Sequence, residues 1–280
     1  MTTTLAGKRI AISLGASFMG YATHAGFLAT LSQAGVRPVA LGGSSAGAIA
    51  AGLHAAGLSI ETIREAVLGT SLPLSFVKRT PWGLQQLRDI FTRCQPGLFE
   101  ASGAISYFEN LVGQRQIEQL NDPRLLIAMT DLASQSSILA QAGPLARAMV
   151  ASCTVPVLFS PLEWQGSLVS DGGVAHEAPV DPWFQAEDID VIIVHRIQQP
   201  EGPRPWLLPL RMIHTIAASH HCVNTQWMAD RAEIARLHGK QLLILNTTAP
   251  SPSLFSRSSR EACYAAGEAA ARAFIQSQLS

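Results

Sequence analysis

The sequence predicts an α/β protein, a three-layer α/β/α sandwich with a mostly parallel central sheet. Three observations carry that expectation. Short apolar, β-branched runs alternate along the chain with longer segments whose apolar residues recur at helical spacing. At 280 residues the chain is long enough to bury one large core. Its residues are 48% apolar and only 14% charged, against roughly 25% charged in an average soluble domain. No internal repeat or low-complexity tract interrupts the alternation, and the span 1–280 reads as a single domain.

Taken in order, residues 9–14 form a β-branched run closed by Gly15, which reads as a buried strand. Residues 21–34 carry apolar side chains at helical spacing and stop at Gly35, the place of a C′ glycine. A second strand over 39–41 leads into a Gly-rich turn and an Ala/Gly-rich helix that ends at Ala56 and Gly57. Ser59, with Glu61 behind it, opens another helix to about Leu68. Further strands are expected at 125–129, 168–170, 191–195 and 242–245. Further helices are expected at 80–93, 145–152, 210–237 and 260–278. Two stretches break the rhythm. Residues 71–103 hold Pro73, Pro81, Trp82 and Pro96, and residues 198–209 form a Pro-rich connection with Trp206. They read as an irregular loop and a linker, the alternative being a cap or lip over an apolar site at about 71–103.

Charge and cysteine usage exclude several classes. The chain has 20 Lys+Arg against 20 Asp+Glu, so it offers no electrostatic footprint for nucleic acid. Disorder needs low hydrophobicity with high net charge, and neither is present. The uncharged stretch 38–60 contains Gly42, Gly43, Ser44, Ser45, Gly47, Gly52, His54 and Gly57, which is too rich in small residues for a spanning helix. Residues 1–8 lack the apolar core and cleavage site of a secretory signal. Cys94, Cys153, Cys222 and Cys263 are widely spaced with no C-x-x-C, which fits reduced thiols in a cytoplasmic protein. No His, Cys, Asp and Glu cluster has metal-ligand spacing, so neither metal nor cofactor is expected.

Chemistry enters at Gly43-Ser44-Ser45-Ala46-Gly47, a G-x-S-x-G placed between a strand and a helix. Such a turn forces the central serine into a strained conformation and pushes its hydroxyl out, with the helix amides aimed at developing negative charge. A bare hydroxyl is a poor nucleophile, so Ser45 needs a base. Among histidines later in the chain, His195 has the best position, at the end of a predicted strand. His176, His214, His220 and His221 are weaker candidates, and His24 and His54 precede or adjoin the turn. Asp171, followed by Gly172 and Gly173, is a second candidate base. Asp-Gly is also ordinary turn chemistry. Position favours the catalytic reading, because reactive groups collect at the carboxyl ends of strands in an open parallel sheet. Between the first strand and helix, Gly15, Ala16, Ser17 and Gly20 belong to a Gly-rich turn able to present amides to an oxyanion. The G-x-G-x-x-G spacing and a following G-K-[ST] are absent, which argues against a nucleotide cradle.

In combination these residues resemble the patatin-like phospholipases. The likeness runs from Arg9 through the final helix. It rests on Gly15 to Gly20, then Gly43 to Gly47, then Asp171 to Gly173, with Thr130-Asp131-Leu132 and the 148–156 segment (Ala-Met-Val-Ala-Ser-Cys-Thr-Val-Pro) between. The resemblance implies a patatin-like catalytic domain with a Ser45–Asp171 dyad and no histidine. Asp171 would take the Ser45 proton as Ser45 attacks a fatty-acyl ester of a phospholipid, lysophospholipid or neutral lipid, while amides of Gly15, Ala16 and Ser17 hold the oxyanion. An acyl-enzyme would form, and water activated by Asp171 would release the fatty acid. Burial of Asp171 would raise its pKa and improve the base.

The chain also departs from the family pattern. Three loop glycines are here Gly15, Ala16 and Ser17, and Ala or Ser at positive φ would be strained. The loop's basic residue is replaced by Met19, the segment before His24-Ala25-Gly26 is one residue longer, and Glu177 stands where an Asn is customary. Alternatives remain at this stage. They are a carboxylesterase or acyltransferase with a Ser-Asp-His triad through His195, and a weakly active lipid-binding regulatory protein. The expected partner is a lipid or acyl ester, with peripheral membrane contact driven by apolar residues and little changed by salt.

Overall fold

A computed structural model describes residues 5, 7–77, 97–198 and 208–279, the side chains of 208–222 and 279 excepted. The expected helix over 80–93, Trp82, Cys94, Trp206 and most of the 71–103 cap lie outside these residues.

The elements follow in order as β1 (Ile10–Leu14), α1 (Tyr21–Gln33), β2 (Ala40–Ser44), α2 (Ala46–Ala55), α3 (Ile60–Leu68) and α4 (Ser71–Ser75). Next come β3 (Gly97–Phe99), α5 (Ser102–Val112), β4 (Arg124–Asp131), β5 (Ser136–Ala140), α6 (Leu145–Ala151), β6 (Val157–Phe159) and β7 (Leu162–Trp164). Then β8 (Ser167–Asp171), α7 (Gly172–Ala175), α8 (Asp181–Phe184), β9 (Val191–Gln198), α9 (Leu208–Leu237), β10 (Gln241–Thr248) and α10 (Arg257–Leu279) complete the strands and α-helices of the described residues.

The sheet runs β10-β9-β1-β2-β4-β8-β7, with β5 also paired to β4. The first five of these strands are mutually parallel, and β5, β8 and β7 are antiparallel to their neighbours. Because side chains alternate across a strand, β1 feeds both layers. Ile10, Ile12 and Leu14 join the core with α1, α2 and α10, whereas Ala11 joins Ile192, Val194, Trp183, Phe184 and Met228 beneath α8 and α9. That is the three-layer sandwich. Full burial of a side chain such as Phe27 or Leu14 contributes about 1.5–3 kcal/mol relative to exposure.

α1 and α10 touch backbone to backbone. A Cβ on Gly26 would lie 2.2 Å from the Tyr264 carbonyl oxygen, and one on Gly267 would lie 1.9 Å from that of Thr23. Ser59 caps α3 as its position predicts, its hydroxyl accepting the Thr62 amide at 3.1 Å. Past β1 the chain builds outward through β2 and β4, then returns to the other side of β1 for β9 and β10. The carboxyl ends of β1 and β9 therefore lie side by side at a switch of direction, where open α/β sheets form their crevice.

The elements that the sequence reading omits are short or edge-lying: α4, β3, β5, β6, β7, α7 and α8. The exception is α5, whose buried Ala104, Phe108 and Val112 stand four residues apart on one helical face.

Candidate active site

Ser45 sits alone between β2 and α2, with φ 53° and ψ −122°. A non-glycine residue there is strained by about 1–3 kcal/mol and persists only where its surroundings fix it. The fixing contacts are visible. The Ser45 amide donates to Ser152 Oγ at 2.8 Å, and the Ala48 amide donates to the Ser45 carbonyl at 2.9 Å. Gly43 and Gly47 allow the crossing: a Cβ on Gly43 would lie 2.4 Å from the Gly47 carbonyl oxygen, and one on Gly47 would lie 2.1 Å from that of Leu14.

Ser45 Oγ donates a hydrogen bond to Asp171 Oδ2 at 2.7 Å. Both residues are buried, at 7% and 5% exposure. Sequence reasoning placed Asp171 at the carboxyl end of a strand in a parallel sheet. The strand is instead antiparallel to β4, and register explains how it still reaches Ser45. β2 pairs with β4 over residues 124–128 and stops, while β8 pairs with residues 129–131 just beyond. The incoming β8 thus ends where β2 ends.

Asp171 is held on every side. Its Oδ1 accepts the Gly173 amide at 2.8 Å, its own amide donates to the Thr154 carbonyl at 3.1 Å, and its carbonyl accepts Thr130 Oγ1 at 2.8 Å. Burial raises its pKa to about 6, against the pull of the hydrogen bonds from Ser45 and Gly173. Such a carboxylate is ionised at neutral pH and more basic than a free one, which suits it to take a hydroxyl proton. Gly172 and Gly173 leave room beside it, since added Cβ atoms would lie 2.2 Å from the Ala128 carbonyl oxygen and 2.5 Å from the Ala16 Cβ.

The loop after β1 departs from expectation. The amides of Gly15 and Ala16, two of the three assigned to an oxyanion by the resemblance, donate to the carbonyls of His195 at 2.9 Å and Glu177 at 2.8 Å. Among the described residues the Ser17 amide is the first in the loop without such an acceptor. Positive φ falls on Met19, at 52°, and not on Gly15, Ala16 or Ser17, so the strain expected at Ala16 and Ser17 is absent. A Cβ on Gly20 would lie 2.1 Å from Ser17 Oγ and 2.7 Å from Ile197 Cδ1, so both side chains would have to turn away.

Glu177 and Met19 are two further departures from the family pattern, and the surroundings of Glu177 bear on both. Arg196 runs beneath Gly15 and forms a buried two-pronged pair with Glu177, at 2.9 and 2.8 Å. The cation near the loop therefore comes from β9 and is neutralised by Glu177, whose carbonyl also holds Ala16.

His195 does not reach Ser45. Its ring nitrogens bond His24 Nδ1 at 2.9 Å and Thr247 Oγ1 at 2.9 Å. His176 pairs with Asp181 at 2.9 Å. The side chains of His214, His220 and His221 lie outside the described residues. Sequence reasoning gave no role to Ser152, Thr130 or Thr154, although Ser152 and Thr154 belong to the 148–156 segment that carries the resemblance. Cys153 is a buried free thiol whose pKa is pushed well up by burial and by the Asp171 charge. No group of three or more His, Cys, Asp or Glu side chains able to hold a metal occurs among the described residues.

The family model for patatin-like phospholipase matches residues 12–183. The chain belongs to the patatin-like phospholipase family. Curated relatives of this patatin-like chain include NTE family proteins of Mycobacterium bovis and Mycobacterium tuberculosis, each 34% identical over 175 residues. Those alignments cover 62% of this chain and 45% of each relative, so the matched region spans less than half of the relatives' length. Among solved structures, VipD from Legionella pneumophila superposes with a TM-score of 0.54 at 13% identity, covering 97% of this chain and 67% of VipD. That likeness supports the patatin-like fold. The ExoU–SpcU complex of Pseudomonas aeruginosa matches at a TM-score of 0.45 and 15% identity, over 98% of this chain and 52% of its own. Among the described residues, no helix is long and apolar enough to cross a membrane.

Proposed function

We propose that the chain is a serine acyl hydrolase that cleaves fatty-acyl ester bonds of lipids through a Ser45–Asp171 dyad. The 2.7 Å hydrogen bond from the strained Ser45 hydroxyl to a buried carboxylate carries this reading. As Ser45 Oγ attacks the ester carbonyl carbon, its proton passes to Asp171 Oδ2 and the carbonyl oxygen becomes an oxyanion. With the Gly15 and Ala16 amides committed to carbonyls, the oxyanion falls to the amide of Ser17 and to that of Ala46, the residue after the nucleophile at the start of α2. Collapse breaks the ester C–O bond, and the leaving alcohol takes the proton from Asp171. Water then gives a proton to Asp171 and its oxygen to the acyl carbon, the fatty acid departs, and Ser45 recovers its proton.

Family membership supports lipid as the substrate class. Phe18, in the loop beside the dyad, is 53% exposed and offers an apolar contact for a lipid surface. The chain's neutrality makes that contact insensitive to salt. A fluorophosphonate probe should label Ser45, and wild type should hydrolyse p-nitrophenyl or phospholipid esters. Ser45→Ala and Asp171→Asn should each abolish turnover, and retained turnover in either sinks the dyad.

A further inference from the structure

Two buried imidazoles lie outside the proposed chemistry. His24, on α1, and His195, within β9, are both fully buried, with Nδ1 atoms 2.9 Å apart. Phe27, one helical turn after His24, stacks on the His195 ring at 4.0 Å between centroids. The far nitrogen of His24 lies 2.9 Å from the Gly15 carbonyl oxygen, and the far nitrogen of His195 lies 2.9 Å from Thr247 Oγ1.

We infer that Thr247, His195 and His24 form a one-way chain of neutral hydrogen bonds that positions the Gly15–Ser17 loop for the reaction proposed at Ser45. The direction follows from its last member. A carbonyl oxygen only accepts, so His24 Nε2 carries the proton. A neutral imidazole has one N–H, so His24 Nδ1 accepts and His195 Nδ1 donates to it. His195 Nε2 then accepts the hydroxyl proton of Thr247. Burial keeps both rings neutral, lowering His24 to about 3 and His195 well below the usual range, and neither ring is bonded to a carboxylate.

The chain acts on one peptide unit. The Gly15–Ala16 peptide gives its carbonyl to His24 Nε2 and its amide to the Glu177 carbonyl, while the Gly15 amide holds the His195 carbonyl. His195 thus fixes Gly15 twice, by its main chain directly and by its ring through His24. Ser17, whose amide is assigned above to the oxyanion, follows this pinned unit directly. His24 and His195 are positioning residues in this scheme, which rests on the reading of Ser45 as nucleophile.

Nitrogen-15 NMR of the histidine-labelled full chain tests the direction without reference to activity. His24 should be the Nε2–H tautomer and His195 the Nδ1–H tautomer at neutral pH, and the opposite tautomer or a charged ring at either position overturns the proposal. His24→Gln keeps an N–H donor near the Gly15 carbonyl and His24→Leu removes it. His24→Leu should lower kcat about 10- to 100-fold with KM changed less than about twofold, and His24→Gln should restore kcat to within about fivefold of wild type. A folded His24→Leu protein with wild-type kcat overturns the positioning role, and if that variant does not fold the tautomers decide. Wild type that neither hydrolyses esters nor reacts with a fluorophosphonate sinks the Ser45 reading instead, and the tautomers still test the hydrogen-bond chain.

Discussion

The hydroxyl of Ser152 accepts the amide of Ser45 at 2.8 Å and donates its own proton to the Ala128 carbonyl at 2.7 Å. The Ser152 carbonyl also accepts the Gly172 amide, beside Asp171, at 3.1 Å. One fully buried residue therefore ties the elbow, β4 and the Asp171 turn together. Removing its hydroxyl orphans two buried backbone groups. Ser152→Ala should destabilise the chain by about 1–3 kcal/mol in chemical denaturation. It should also slow fluorophosphonate labelling of the folded protein, and unchanged labelling would assign Ser152 to stability alone.

In the proposed mechanism Asp171 must be ionised to accept the Ser45 proton. With Asp171 raised to about 6, kcat/KM should climb as pH passes through about 6 and level off above it. An ascending limb centred near 4 would show that burial does not tune this carboxyl.

The same shift bears on stability. A carboxyl whose pKa rises on folding favours the folded state fully below its unfolded value near 3.8, and that contribution is lost as pH rises through about 6. Ionised Asp171 at neutral pH is thus a cost on the order of 3 kcal/mol. Asp171→Asn should remove activity and raise Tm at pH 7, with the gain shrinking below pH 5. A lower Tm at pH 7 would contradict this.

The Arg196–Glu177 pair is 4% and 6% exposed and beneath the loop that carries Ala16. Arg196→Met leaves a buried carboxylate unpaired and should cost about 3–5 kcal/mol in denaturant midpoint analysis. The double change with Glu177→Gln should recover most of that loss. Equal losses in the single and double variants would show that the pair is not coupled.

Much of the architecture is legible without coordinates. β1, β2, β4, β9 and β10 are apolar runs because both faces of a parallel sheet are covered. The glycines at 35 and 57, both at positive φ, mark helix ends for the same local reason. α5 was equally readable from Ala104, Phe108 and Val112. The short strands β5, β7 and β8 were harder, because their pairing depends on long-range partners more than on their own pattern.

At the site, the local motifs singled out Ser45 and Asp171, since a strained turn and an Asp-Gly-Gly turn are written in adjacent residues. The partners of His195 were not legible. Its predicted place at a strand end suited a base, yet β9 runs on to Gln198, and only packing against α1 and β10 shows that both ring nitrogens are already engaged. The carbonyl acceptors of the Gly15 and Ala16 amides were illegible for a related reason, because they stand more than 150 residues away in the chain.

The sequence by itself determined the alternating elements, the covered parallel sheet and the two turns that carry Ser45 and Asp171. Each follows from periodicity or backbone preference within a few residues. Tertiary structure alone decided that β8 runs antiparallel and ends level with β2, which brings Ser45 within 2.7 Å of Asp171. It also decided which buried polar groups hold the loop after β1 and which hold Ser45 and Asp171. Hydrogen-bond partners distant in sequence are chosen by strand register and layer packing, and neither is a property of any local stretch of chain.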